Sequence, residues 1–178
     1  MDSDGLTVER LSSVELKQSL FDLREFLDEA FDYDFTDEDF AHSMGGTHFA
    51  VVHNGRLIAH ASVVLRRLSF GGQVFDAGYV EALAVALPWR GRGVGSKLLS
   101  ELTAFCQENF AVSMLSTGSH GFYERHGWRR MRAESYFYNG TFSVRTSEED
   151  ETLMVLSELD EVLSAKKVVC DFRDGDVW

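Results

Sequence analysis

Apolar positions recur along the chain at two periods, near 3.6 and near 2, and the changes from one to the other divide it into elements. Leu6 to Leu11 alternates like an edge strand, and Ser12 followed by Glu15 is a capping box that opens a helix. That helix carries Leu16, Leu20, Leu23, Leu27 and Phe31 on one face. Thr36-Asp37-Glu38-Asp39 predicts a second, shorter helix, after which Gly45-Gly46 breaks the chain. His48 to His53 reads as a strand, Asn54-Gly55 as a tight hairpin turn, and Arg56 to Leu68 as the returning strand. Gly71-Gly72 makes the next turn, and Val74 to Val85 is a long strand that runs into Leu87-Pro88-Trp89.

Beyond that point the period changes again. Arg90-Gly91-Arg92-Gly93-Val94-Gly95-Ser96 is a glycine-rich turn, and Leu98, Leu99, Leu102 and Phe105 follow at helical spacing as far as Gln107. Ala111 to Leu115 predicts a strand, His120 to Arg125 a short helix, and Trp128 to Tyr138 one further strand. Leu153 to Leu156 and Val168 to Phe172 complete the set. Antiparallel hairpins followed by strand-helix-strand units predict an α/β fold, a mixed central sheet flanked by helices. There is no internal repeat, low-complexity segment or linker, so residues 1–178 are expected to form a single domain.

Charge narrows the partners. The formal net charge is −12, which argues against nucleic acid or an anionic membrane as partner, because both are bound through clustered Lys and Arg. A cationic small molecule is the more natural ligand. The acid gathers in Asp22 to Asp39, in Glu148-Glu149-Asp150-Glu151, and at Asp171, Asp174 and Asp176. Such runs are ordinarily solvated faces, and only several of them assembled at one site would say otherwise. No apolar run reaches the roughly 20 residues of a membrane span. Met1-Asp2-Ser3-Asp4-Gly5 lacks the basic region and apolar core of a secretory signal, so a cytoplasmic protein is expected. Cys106 and Cys170 have no metal-ligand spacing and read as packing positions, and no metal is expected.

The glycine turn carries the first candidate chemistry. Gly91, Gly93 and Gly95 allow close backbone approach, and the helix behind them presents free N–H groups and its positive dipole end, a setting for a pyrophosphate. The spacing matches neither the dinucleotide fingerprint nor the nucleotide-triphosphate loop. By itself it could be no more than a tight turn. In context, Arg90 to Gly95 resembles the R-x-x-G-x-G segment of the GNAT superfamily, which cradles the pyrophosphate of acetyl-CoA. It follows the long strand Tyr79-Val80-Glu81-Ala82-Leu83-Ala84-Val85, as in that superfamily, and Tyr123-Glu124-Arg125-His126-Gly127-Trp128 resembles a second shared segment, Y-x-x-x-G-[FW].

The resemblance implies the GNAT fold, with a V-shaped opening between the central strands, and acetyl-CoA as co-substrate. It places the coenzyme along Leu83, Ala84 and Val85 and over Arg90, Gly91, Arg92, Gly93, Val94, Gly95 and Ser96, with the Leu83 N–H polarising the thioester carbonyl. Matches at Asp34-Phe35-Thr36, Gly45-Gly46, His60-Ala61, Gly78-Tyr79-Val80-Glu81 and Cys170 to Trp178 are similar to the aminoglycoside 2′-N-acetyltransferase family. They run from about the first helix to the last residue. The implied activity is acetyl transfer to the 2′-amine of aminoglycosides of the gentamicin and tobramycin type, giving resistance, and the implied assembly is a homodimer.

That family holds its polycationic sugar through carboxylates, and this sequence supplies Asp34, Glu81, Glu149, Asp176 and the carboxylate of Trp178, with Ser116 and the backbone of Ala82 as neutral partners. Each ammonium-carboxylate contact near 4 Å gains roughly 4 kcal/mol before desolvation is subtracted. Glu81 would be the general base and Tyr123 the acid that protonates the departing thiolate. The residues have blander readings too: Asp34 could help start the short helix, and Trp178 could be frayed or packed for its area alone. Glu81 is harder to dismiss, because a carboxylate in an apolar strand is costly unless paired or in a cleft. His60 and the other histidines read as structural or surface residues. One departure stands out: the segment between Ser116 and Tyr123 is shorter than in the relatives, with His120-Gly121 in place of longer residues. The alternatives are a GNAT enzyme for another polyamine or a peptide amine, or a coenzyme A-binding domain without catalysis.

Overall fold

A computed structural model describes residues 5–18 and 20–178. The acidic start at Met1 to Asp4 lies outside the described residues, as do the side chains of residues 17, 18, 20 and 21, among them the Leu20 position of the first helix. The chain falls into two compact units, residues 1–64 with 80–103, and residues 65–79 with 104–178.

In the first unit, strand β1 (Val8–Ser12) pairs antiparallel with β2 (Thr47–His53), and β2 pairs antiparallel with the first half of β3 (Arg56–Phe70). The β2–β3 hairpin turns where expected. Asn54 and Gly55 sit at φ +50° and +73°, the left-handed pair that a two-residue turn requires. The Ser12 capping box also forms, with the Ser12 N–H donating to Glu15 Oε2 at 2.7 Å. It opens a 3-10 turn over Glu15–Gln18, and α1 spans Leu20–Ala30. Leu16, Leu23, Phe26 and Leu27 pack with Ala84 into one buried cluster, so the apolar face holds as far as Leu27, whereas Phe31 is exposed. Helix α2 (Asp37–Ser43) starts at Thr36, whose hydroxyl accepts from the Asp39 N–H while Asp39 accepts from the Thr36 N–H. The cap therefore belongs to Thr36 and not to Asp34. Gly46 has no room for a side chain: a Cβ there would lie 2.0 Å from the Val63 carbonyl oxygen.

The second unit carries the remaining pairings. Strand β4 (Gln73–Val85) returns from β3 through Gly71 and Gly72, both at positive φ, and helix α3 spans Val94–Asn109. Strand β5 (Ser113–Ser116) runs parallel to β4 over two registered positions, Gly78 with Ser113 and Tyr79 with Met114. After helix α4 (His120–Glu124) come β6 (Arg129–Arg130), β7 (Glu134–Tyr138), β8 (Ser143–Arg145), β9 (Leu153–Leu156), helix α5 (Asp160–Leu163) and β10 (Lys167–Asp171). The hydrogen-bonded order is β6-β9-β5-β4-β3-β10-β7-β8, mixed because β4–β5 and β10–β7 are parallel. Strands β3 and β4 and helix α3 contribute residues to both units.

The single strand expected over Trp128 to Tyr138 is in fact two. Arg129 and Arg130 pair with β9, whereas Glu134 to Tyr138 pair with β10 and β8, so the chain leaves one partner and joins another between them. No described helix is long and apolar enough to cross a membrane. Cys106 and Cys170 are buried free thiols, and burial pushes them up to about 11 and about 12, which suits packing positions.

Candidate active site

The glycine turn and the strand before it lie in the first unit. Glu81, Ala82 and Leu83 are half-buried near the end of β4, and Ala84 is buried in the cluster around Leu23. Ala82 has φ +50°, a conformation that a Cβ makes costly by about 1–2 kcal/mol, in the middle of an otherwise extended strand. The strand is thus kinked where the coenzyme arm was expected to run. Strained backbone of this kind persists only where neighbours hold it.

A buried histidine lies against this residue. His60 Nδ1 lies 3.2 Å from the Ala82 carbonyl oxygen, His60 Nε2 lies 3.1 Å from His48 Nδ1, and His48 Nε2 lies 3.2 Å from Ser13 Oγ. Ser13 also donates to the Gly46 carbonyl at 3.1 Å. Both rings are fully shielded from solvent. Burial lowers His48 to about 4, and burial followed by repulsion from His48 lowers His60 to about 3. Both are therefore neutral at pH 7. Of the structural or surface roles open to His60, the structure gives the first, and in a position the spacing alone did not suggest.

Past Val85 the chain turns through Leu87–Trp89 into the glycine segment. Arg90 donates from Nε to the Val85 carbonyl at 2.9 Å and from Nη2 to the Ala30 carbonyl at 2.7 Å, which ties the start of the turn to β4 and to the end of α1. Arg92 is exposed with its guanidinium 5.9 Å over the Trp89 ring. Gly91 and Gly93 have φ +73° and +82°, values that a residue with a Cβ rarely adopts. Helix α3 begins directly at Val94, whose side chain is buried, and Lys97 N–H closes its first turn on the Gly93 carbonyl at 3.0 Å. The N–H groups of Val94, Gly95 and Ser96 are in the first helical turn, where they have no intrahelical acceptor and meet the positive dipole end. A bared backbone cradle at a helix start, preceded by a kinked strand, fits the diphosphate and arm of a coenzyme A thioester. Asp34 is exposed in the turn that follows Asp32 and Tyr33, both at positive φ.

The other expected residues lie in the second unit. Ser116 Oγ donates to Glu149 Oε2 at 3.1 Å, and Thr152 Oγ1 donates to the same oxygen at 2.6 Å, so Ser116 and Glu149 are brought together. Tyr123 is 8% exposed, and burial pushes its phenol up to about 12, against a hydrogen bond with Thr117 that lowers it. It stays protonated throughout the neutral range.

Trp178 is only 3% exposed, which rejects fraying. Its indole N–H donates to Thr146 Oγ1 at 2.9 Å, and its backbone N–H to Asp176 Oδ1 at 3.1 Å. Arg173 donates to the Trp178 oxygen and to the Asp176 carbonyl, each at 2.8 Å. Arg66, itself 4% exposed, donates to Asp171 Oδ1, to the Asp171 carbonyl and to the Val177 carbonyl. Sequence reasoning missed Arg66, although a guanidinium among the apolar positions of β3 is the same signal that singled out Glu81 in β4. Among the described residues no group of three or more His, Cys, Asp or Glu is placed to hold a metal ion.

Comparison with known proteins places the chain in a family. The model of the acetyltransferase (GNAT) family matches residues 14–128. An aminoglycoside 2′-N-acetyltransferase from Mycolicibacterium fortuitum is 37% identical over 164 residues, covering 87% of this chain and 83% of that protein. Among solved structures, a GNAT family N-acetyltransferase from Escherichia coli in complex with CoA superposes with a TM-score of 0.70 at 14% identity, covering 95% of this chain and 90% of the other. A probable N-acyltransferase from Enterococcus faecalis superposes with a TM-score of 0.60 at 18% identity over 71% of this chain, which spans 33% of that longer protein. These likenesses bear on the fold.

Proposed function

Because the chain belongs to the GNAT acetyltransferases, and within them to the aminoglycoside 2′-N-acetyltransferase family, we propose that it transfers the acetyl group of acetyl-CoA to the 2′-amine of aminoglycosides of the gentamicin and tobramycin type. The observation that carries this reading is the 37% identity to the Mycolicibacterium fortuitum enzyme over most of both chains. The kinked end of β4 and the glycine turn support the coenzyme side of it.

Acetyl-CoA supplies an activated thioester. The amides of Val94, Gly95 and Ser96 bind its diphosphate, and the backbone of Leu83, Ala84 and Val85 aligns its arm. The Leu83 N–H donates to the thioester oxygen as negative charge develops there. Glu81 takes the proton from the attacking amine through a water, and Tyr123, kept protonated by its burial, gives a proton to the departing thiolate. Asp34, Glu149, Asp176 and Trp178 offer acceptors to the substrate's ammonium groups, with Ser116 and the Ala82 backbone as neutral partners. Arg173 and Asp176 share the Trp178 end, so a substrate ammonium engages an oxygen that already accepts from a guanidinium. Residues 1–178 act in this reading as one cytoplasmic acetyltransferase domain, paired as a homodimer.

The test is thiol release from acetyl-CoA across a panel of aminoglycosides, with the acetylated nitrogen of each product located by NMR. Acetylation confined to antibiotics that bear a 2′-amine supports the reading. Modification at a 3- or 6′-amine, or of polyamines and peptides only, refutes the 2′ assignment.

A further inference from the structure

The Ala82–Leu83 peptide is a rigid planar unit, trans in this chain, so its carbonyl and its N–H point in opposite directions. Whatever grips the Ala82 oxygen therefore aims the Leu83 N–H. His60 grips that oxygen through Nδ1 at 3.2 Å, from a fully buried ring. A carbonyl only accepts, so Nδ1 carries the ring's proton and Nε2 is left to accept from His48 Nδ1. His48 Nε2 in turn accepts from the Ser13 hydroxyl, which it shares with the Gly46 carbonyl. Each ring thus fixes the tautomer of the next. The row is not a proton wire, because it ends on a carbonyl that has no proton to pass and takes none at neutral pH. What it can do is hold a peptide in place and, by drawing on its oxygen, strengthen its N–H as a donor.

We propose that His60 is a positioning residue for acetyl transfer: by donating from Nδ1 to the Ala82 carbonyl it keeps β4 kinked at Ala82 and fixes and polarises the Leu83 N–H toward the thioester oxygen. The role rests on the reading of Leu83 N–H as the oxyanion donor given above. His48 and Ser13 act one and two steps further back, by setting the His60 tautomer. The sequence around Ala82 contains nothing that favours a left-handed residue, and an alanine there needs an outside contact of this kind.

The test uses the full chain and two substitutions. His60→Leu removes the donor, whereas His60→Asn places an amide nitrogen where Nδ1 stood and keeps it. Without coenzyme, nitrogen NMR of the wild-type protein is expected to show His60 protonated at Nδ1 and bare at Nε2. The Leu83 amide proton should resonate downfield in wild type and His60→Asn relative to His60→Leu. Deleting an oxyanion donor outright costs roughly a hundredfold or more in kcat, so losing its support should cost less, about tenfold in His60→Leu. His60→Asn should recover most of that loss, and KM for acetyl-CoA should move little in either. A Leu83 amide that does not shift, or a folded His60→Leu enzyme with wild-type kcat, overturns the proposal. Should His60→Leu not fold, the wild-type tautomer decides: a proton on Nε2 overturns it. Absence of transfer to any aminoglycoside by the wild-type enzyme would instead refute the proposed function, and the NMR comparison would still decide whether His60 governs the peptide.

Discussion

The buried histidine pair should make the fold sensitive to mild acid, and the size of the expected effect follows from its environment. Burial holds His48 at about 4 and His60 at about 3, whereas an unfolded chain titrates its histidines near 6.5. A folded value below the unfolded one means stability that is present above pH 6.5 and lost as the pH falls toward the folded value. At pH 5 the unfolded chain binds one proton more than the folded chain at each ring, which costs about 2 kcal/mol per histidine and about 4 kcal/mol for the pair. Domains are stable by only about 5–15 kcal/mol. At about 2–4 °C per kcal/mol for a chain of this size, Tm should fall by roughly 8–16 °C between pH 7.5 and pH 5 from this source. Asp150, held at about 2 chiefly by its ion pair with Arg145, loses its contribution only below its ordinary value of 3.8 and so falls outside the window. The assay is thermal unfolding by circular dichroism at half-unit steps, for wild type and for a His48→Gln, His60→Asn double variant. The variant should start from a lower Tm at pH 7.5 but lose much less of it on acidification. Equal slopes would refute the argument, since they would mean that the two rings gain protons in the fold as readily as out of it.

Other substitutions probe the remaining contacts. Gly46→Ala drives a Cβ against the Val63 carbonyl, a backbone atom that cannot swing away, and should cost about 3 kcal/mol, read as a lower urea midpoint. Trp178→Ala empties a buried site and removes the donor to Thr146, so a loss of about 3–5 kcal/mol is expected in the same assay. Gly93→Asp combines an unfavourable φ of +82° with a negative charge at the start of α3, and should weaken acetyl-CoA binding by calorimetry at least about tenfold while Tm falls by only a few degrees, roughly 2–8 °C, from the backbone strain. Tyr123→Phe should lower kcat by about a hundredfold or more with KM for the aminoglycoside little changed, and the wild-type profile should show no loss of the acid form up to pH 9, given a phenol held at about 12.

What the sequence determined by itself is what neighbouring residues decide among themselves. Asn54-Gly55 dictates its turn, Thr36 with Asp39 its cap, and Gly91 and Gly93 before an apolar helix their cradle, because each depends on backbone freedom or a hydrogen bond within a few positions. Family resemblance then attached acetyl-CoA to the cradle and aminoglycosides to the carboxylates. Tertiary structure decided everything that hangs on a choice of distant partner. The run from Trp128 to Tyr138 shows unbroken strand character, yet it splits because its two halves find different strands to pair with. Arg66 meets the Val177 carbonyl across 111 positions of chain, and Glu149 meets Ser116 across 33. Ala82 is the sharpest case: alanine has no local reason to be left-handed, and a histidine 22 positions earlier, brought alongside by the β3–β4 hairpin, offers its carbonyl a bond that helps to offset the strain. A one-dimensional pattern records which residues are apolar and which are free to turn, whereas such pairings are selected by the folded chain as a whole, where burial makes an unmet polar group too costly to leave alone.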